Sequence, residues 1–585
     1  GPSGGSASDF QARRRAIEMQ NRLFAELSRM FGLEVPLYDK SLAVNDACNR
    51  AVCDLLAAMH RGFSISDEQI VKTSGERHGA IRIGRPDEYR WIRRFFACFG
   101  MHPHNFYDMT SVGAKSQPVI ATAFRSMVHP EHRVFSSLLQ TTYFDPETKA
   151  RVDALLDTRQ VFSDRAMQLI DKAEADGGLS WDDAYALIAE GTERIFKWTG
   201  EAHDHELYTH LCEAGFKIAA DVACFRAHHL NHLTPNTFCM DLYTSAMKFR
   251  LGEMDRETFI ARAKRALEHL RKTGDRDFLR LCFKHLTRAE VESYEPTTPE
   301  GGMIDRLIDE LLARLETAEL DLAKLRHNGF KDHTEGPAVD TPLLLRQDAY
   351  KALTEAVHFT NTDGSELDTE HTARFGEIEQ RFYATTPAGR KLYDDCLAKV
   401  EAAKADKPSL VKDDFDAYMA MQAECFAPFP KTLRELLEQG LVYGRFEPTE
   451  AGLTAAGSIE TTDLFELVSL GYVAYEGLRY EDFLPVSAAG IFASNLSQYG
   501  TKSTAAEKPE YTQSMLEEIL GCAIVDSDVV YRGLHADSVL GTFAALDVLD
   551  RLGDAEREQL IRDADGCPAE ARHRFAERSV LAARA

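Results

Sequence analysis

Three separated stretches of this 585-residue chain carry residues that can ligate a metal: ERHGAIR at 76–82, HHLNHLTP at 228–235 and FGEIEQR at 375–381. Each reads as a β-strand. Together they offer histidines and carboxylates, and two imidazoles plus one carboxylate with open coordination positions are the facial set of non-haem Fe(II) oxygenases. Oxygen activation is therefore the chemistry that these residues predict first.

Strand geometry limits which side chains can meet. Alternation along 76–83 puts His78, Ala80 and Arg82 on one face. The Cα atoms of His78 and Arg82 are then about 13 Å apart, so the arginine can reach back toward a substrate held on a metal at His78. Its planar fork suits a carboxylate, which accepts two parallel hydrogen bonds. A surface histidine beside a surface arginine is the plain alternative. In 228–235, an extended chain puts His228 and His232 on one face and His229 on the other. The HxxxH spacing would bring two zinc ligands together on a helix, but Pro235 and the β-prone flanks oppose one. Histidines of this kind more often serve as buried hydrogen-bonders. Glu377 and Glu379 share a strand face, and periodicity does not choose between them. If both are buried, a cation beside them would offset the repulsion.

The remaining elements form the setting. Apolar residues at three- and four-residue spacing predict helices over 10–31 and 45–63. AIRIG and the run from HNFYDMTSV to PVIATAFR read as strands, and helices return over 146–220 with Ser180 as a cap. DVACFRAHHLNHLTP passes from helix to strand. A charged helical stretch follows to about 327, broken by the loop YEPTTPEGGM at 294–303. Strands recur in TPLLLRQDAYKALTEAVHFT and RFGEIEQRFYAT, then helices at 388–404, 412–423 and 430–440. The fold class is α+β, a split sheet embedded in many helices. The expected segments are a tag remnant at 1–8, N-terminal helices at 9–65, a first half of the metal-binding core at 66–242, a helical insertion at 243–318, a second half at 319–500 and a C-terminal segment at 501–585.

Composition narrows the function classes. A chain that is 44% hydrophobic can bury a large core, and a formal charge of −25 repels nucleic acid and anionic membrane surfaces. No run approaches the roughly eighteen apolar residues of a membrane span, so a cytoplasmic location is expected. The eleven cysteines are scattered singly without a CxxC, as reduced thiols are. No phosphate-cradling loop or nucleophile elbow is present.

The chain resembles the 2-oxoadipate dioxygenase/decarboxylases, also called D-2-hydroxyglutarate synthases, divergent relatives of the vicinal oxygen chelate (glyoxalase-like) superfamily. The resemblance rests on ERHGAIR, ATAFR at 121–125, DVACFRAHHLNHLTP, NGFKDHTEGP and PLLLRQDAYKAL within 328–353, FGEIEQRFYATTPAGRKLYD, and YEDFLPVSAAGIFASNL at 480–496. It implies a split glyoxalase-like β-sheet around Fe(II) held by His78, His232 and Glu377, with Arg82, Val486 and Ser487 binding substrate. LNHLT resembles the superfamily strands that supply the metal histidine, and EIEQR resembles the EIIQR strand of the 4-hydroxyphenylpyruvate dioxygenases.

The implied reaction is oxidative decarboxylation of 2-oxoadipate by O2 to 2-hydroxyglutarate and CO2, a step of lysine breakdown. Arg346 and Gln347 are further pocket candidates from their place in the family-like RQ segment. This chain has Asn236-Thr237 where family members usually have Arg-Thr, and RQDAYKA where the pattern is nearer RQTSFKA, so a different 2-oxo acid is an open alternative. A zinc or manganese lyase or isomerase on the same scaffold, and a non-catalytic binding protein, are the rival classes.

Overall fold

Apolar spacing folds the N-terminal region into two long helices, Ala7–Glu34 and Pro36–Met59, with Pro36 opening the second, where its fixed φ suits the first turn. The computed structural model describes residues 7–297, 302–318, 322–331, 334–484 and 502–578. After these helices come β1 (His60–Arg61), β2 (Arg77–Ile83), β3 (His102–Asp108), β4 (Val119–Arg125) and β5 (His132–Leu139). Then follow β6 (Glu201–His203), β7 (His232–Pro235), β8 (Glu295–Pro296), β9 (Leu345–Thr360), β10 (Glu366–Arg381), β11 (Gly444–Pro448) and β12 (Val473–Gly477).

Five of these strands form a mixed sheet in the order β3-β4-β5-β2-β7, with β2 parallel to β5 and antiparallel to β7. β9 and β10 make a long antiparallel hairpin, closed by a turn containing Asp363-Gly364 with Gly364 at φ +85°, and β6 adds to its β9 edge. The hairpin and the five-stranded sheet meet along one seam. There the Phe375 N–H donates to the Asn231 carbonyl at 3.0 Å and the Thr237 N–H to the Glu379 carbonyl at 2.9 Å, so β10 runs alongside β7.

Helices surround these sheets. Among them Met240–Arg250, Arg256–Thr273 and Met303–Thr317 follow β7, and Pro387–Asp406, Phe415–Cys425 and Ser527–Ala545 follow β10. Ser180 caps the helix Trp181–Glu190 by accepting from the Asp183 N–H, as the sequence predicts. Three hydrophobic clusters result among the described residues: one joins the N-terminal helices to the five-stranded sheet, another gathers around β11, β12 and the C-terminal helices, and a small third one holds Ala202, Cys224, Phe225, Val357 and Phe359 where β6 meets β9. The class is α+β. No described helix is long and apolar enough to cross a membrane.

One strand expectation shifts. Regular pairing begins only at His232, after bends over 226–231, so alternation does not relate His228 and His229 to His232.

Candidate metal centre

Cross-strand register brings the two histidines together. Ala80 lies opposite His232 and His78 opposite Thr234, so His78 and His232 project from the same face of adjacent strands. Their rings stand edge to face with centroids 5.2 Å apart. The seam then places β10 beside β7, and Glu377 enters from that side. Its Oε1 lies 3.1 Å from His232 Nε2 and 3.5 Å from His78 Nε2. One ligand atom from each of the three residues falls within 4.8 Å of the others, and all three side chains are buried. Two β-bulges in the hairpin, between Thr372 and Arg374 and between Arg374 and Gly376, twist β10 immediately before Glu377.

The surroundings fix the rings. His232 Nδ1 lies 3.1 Å from Thr234 Oγ1, and Phe375 stacks on the His232 ring at 4.8 Å. Glu379 Oε2 is 2.8 Å from His78 Nδ1, and Phe483 meets the His78 ring edge-on at 4.9 Å. Both imidazoles thus turn Nε2 toward Glu377.

Electrostatics divides the histidines. Burial, which Glu377 only partly offsets and to which the nearby His78 and Arg82 charges add, lowers the His232 pKa to about 3, leaving a lone pair for a cation. Burial disfavours a charged His78 too, but Glu379 and Glu377 outweigh it and raise its pKa. Burial also opposes the charge on Glu377, yet His232 and His78 hold its carboxyl below the usual range. Glu379 is lower still, because Arg381, His78 and Arg133 overcome its desolvation.

These residues fit a divalent metal. Adjacent ligands bound at roughly 2.1 Å and at right angles are about 3 Å apart, close to the observed nitrogen-to-oxygen separations. The buried Glu377 Oε2 has no hydrogen-bond partner among the described residues. A cation between the three groups would also stabilise the adjacent carboxylates of Glu377 and Glu379.

The other sequence candidates lie as follows. Arg82 shares the face of His78; its Nη1 donates to Asp221 Oδ2 at 2.8 Å and to Asn231 Oδ1 at 2.9 Å. His229 turns to Asp221 at 3.1 Å and His228 to Glu88 at 3.5 Å, away from the cluster and each against its own acid. Gln347 lies opposite Glu379 and shares its face, whereas Arg346 is on the other face in a two-toothed pair with Asp241, at 2.9 and 3.1 Å. That far face opens into a separate cavity of about 310 Å³ between the Met240–Arg250, Arg256–Thr273 and Phe415–Cys425 helices. Asn236 accepts from Arg479 Nη2 at 3.4 Å through its side-chain oxygen. Val486 and Ser487 lie outside the described residues. Sequence reasoning missed Phe483, Thr234 and Asp221, although YEDF, HLTP and DVACF all lie inside stretches it singled out.

Comparison with known proteins agrees in extent. The sequence profile of the 2-oxoadipate dioxygenase/decarboxylase family matches residues 23–273 and 305–495. A protein of that name from Pseudomonas putida is 33% identical over 534 residues, which cover 90% of this chain and 96% of the relative. One from Escherichia coli is 31% identical over 526 residues, 88% of this chain and 96% of the relative. The crystal structure of the hydroxyglutarate synthase from Pseudomonas putida in complex with 2-oxoadipate superposes with a TM-score of 0.63 at 30% identity, covering 91% of this chain and 98% of that one.

Proposed function

The chain belongs to the 2-oxoadipate dioxygenase/decarboxylase family, and from that premise we propose that it converts 2-oxoadipate and O2 to 2-hydroxyglutarate and CO2, as a cytoplasmic step of lysine breakdown. The observation that carries the reading is the convergence of the buried side chains of His78, His232 and Glu377.

In this reading His78, His232 and Glu377 hold Fe(II) and leave the remaining positions open. Bound there, Fe(II) would supply the redox centre at which a 2-oxo acid and O2 are brought together. The protein's own contribution is placement. Arg82, fixed by Asp221 and Asn231, holds a substrate carboxylate and orients the reacting carbons. Phe375 and Phe483 pack on the two histidine rings and keep bulk water from the pocket. Val486 and Ser487 complete the substrate pocket on the strength of the resemblance alone. We further read the five-stranded sheet and the β9–β10 hairpin as the two halves of a split, glyoxalase-like sheet; the ligands divided between them support this.

The test is anaerobic loading with Fe(II), then addition of O2 with a panel of 2-oxo acids, following O2 uptake, CO2 and the hydroxy acid. Turnover of 2-oxoadipate ahead of shorter oxo acids is expected. Iron uptake without O2 consumption on any oxo acid refutes the proposal.

A further inference from the structure

Glu379 is paired more elaborately than an edge-strand glutamate requires. Arg381 donates to both of its oxygens, Nε to Oε1 at 2.8 Å and Nη2 to Oε2 at 3.1 Å, and Arg133 Nη1 donates to Oε1 at 3.2 Å. Its Oε2 also lies 2.8 Å from His78 Nδ1, an ion-pair contact off the line of the ring N–H.

The pairing continues outward. Arg133 Nη2 donates to Glu76 Oε1 and Glu481 Oε2, each at 2.5 Å. Arg479 Nη1 donates to both oxygens of Glu76, at 2.9 and 3.0 Å. Glu481 Oε1 accepts from Lys284 Nζ at 3.2 Å and from Arg574 Nη2 at 3.1 Å. Lys284 lies between the two blocks matched by the family profile and Arg574 lies beyond them. Charges from outside those blocks thus reach a histidine of the metal cluster through three buried side chains.

We infer that Glu379 is a positioning residue for His78, and that Lys284 and Arg574 tune the cluster's attraction for a cation through Glu481 and Arg133. This rests on the reading of His78 as a metal ligand. A carboxylate charge 2.8 Å from Nδ1 favours the ring proton on that atom and leaves Nε2, which faces Glu377, as a stronger donor to a metal. Buried charges are weakly screened, so the balance of acids and bases along the network is felt at the cluster. The sign follows. Removing Glu379's charge weakens binding of a divalent cation, whereas removing Lys284's charge makes the field at the cluster more negative and strengthens it. A merely structural loss at Lys284 would weaken binding or leave it unchanged.

The experiment titrates metal-stripped, full-length protein with Co(II), read by calorimetry and by the visible absorption of the bound ion. Wild type and His232→Ala come first: equal binding by the two would show that the ion is not at this cluster, and the metal reading itself would fail. With that difference established, Glu379→Gln is expected to bind Co(II) about 10- to 100-fold more weakly. Lys284→Met, a half-buried side chain remote from the ligands, is expected to bind it about threefold to tenfold more tightly. Wild-type affinity in Glu379→Gln overturns the positioning role. If that variant does not fold, Lys284→Met decides, and unchanged or weaker binding overturns the inference.

Discussion

Gly376 precedes the carboxylate ligand candidate, and its lack of a side chain is required by packing. It lies opposite Tyr350 in the β9–β10 register, and a Cβ there would sit 2.2 Å from the tyrosine Oη and 2.3 Å from Cε1 and Cζ. Ordinary carbon contacts are about 3.5–4.0 Å, so the overlap exceeds an ångström against a ring that is 2% exposed. Tyr350 occupies the far face of the hairpin, so relief comes by pushing β10 toward the face that carries Glu377. Gly376→Ala is therefore expected to cost about 3 kcal/mol, the upper end for overpacking. The same shift should weaken Co(II) or Fe(II) binding about tenfold or more. Tyr350→Ala alone should cost about 3–5 kcal/mol as a large-to-small core change. In that background the ring is gone and Gly376→Ala should cost under about 1 kcal/mol, a coupling of about 2 kcal/mol in the double-mutant cycle. Urea unfolding of the four proteins, with metal titration of each, measures both. A Gly376→Ala protein within about 0.5 kcal/mol of wild type, or strict additivity with Tyr350→Ala, would refute the packing argument.

Two further outcomes are expected. Arg82→Lys keeps a positive charge opposite Asp221 but loses the planar fork, so KM for 2-oxoadipate should rise about tenfold or more while iron content holds; steady-state kinetics with metal analysis checks this, and parallel loss of iron would assign Arg82 to the metal shell instead. Asp277 is a pH probe: burial and Asp275 raise its pKa to about 6 although Arg280 opposes them. A raised carboxylate pKa destabilises the fold above that pKa and has no effect once both states are protonated, below the unfolded value of about 3.9. Asp277→Asn should thus be more stable than wild type by about 1–3 kcal/mol at pH 8 and equal at pH 3.5, read as the difference in melting temperature.

What could be read in advance divides along physical lines. Period-two alternation is local, so the shared face of His78 and Arg82 and the pair Glu377 and Glu379 were legible. The choice among His228, His229 and His232 was not, because it depends on where strand pairing begins and on Glu88 and Asp221, acids set by other elements. β5 escaped notice because HRVFSSLL is buried along its whole length and shows no alternation. Arg346 and Gln347 were grouped by their place in one motif, although neighbours in a strand face opposite ways. Tyr350 over Gly376 is a contact of shape that residue types alone do not announce.

The seam between β7 and β10 bears on how the molecule comes together. Its hydrogen bonds join residues far apart in sequence, and closing so long a loop costs chain entropy that only the finished contacts repay. Until the hairpin docks, a growing chain holds two imidazoles on the last two strands of the five-stranded sheet without their acidic partner. The ligand set is thus complete only once the hairpin has docked, and an ion arriving before that meets an incomplete cage with little hold on it.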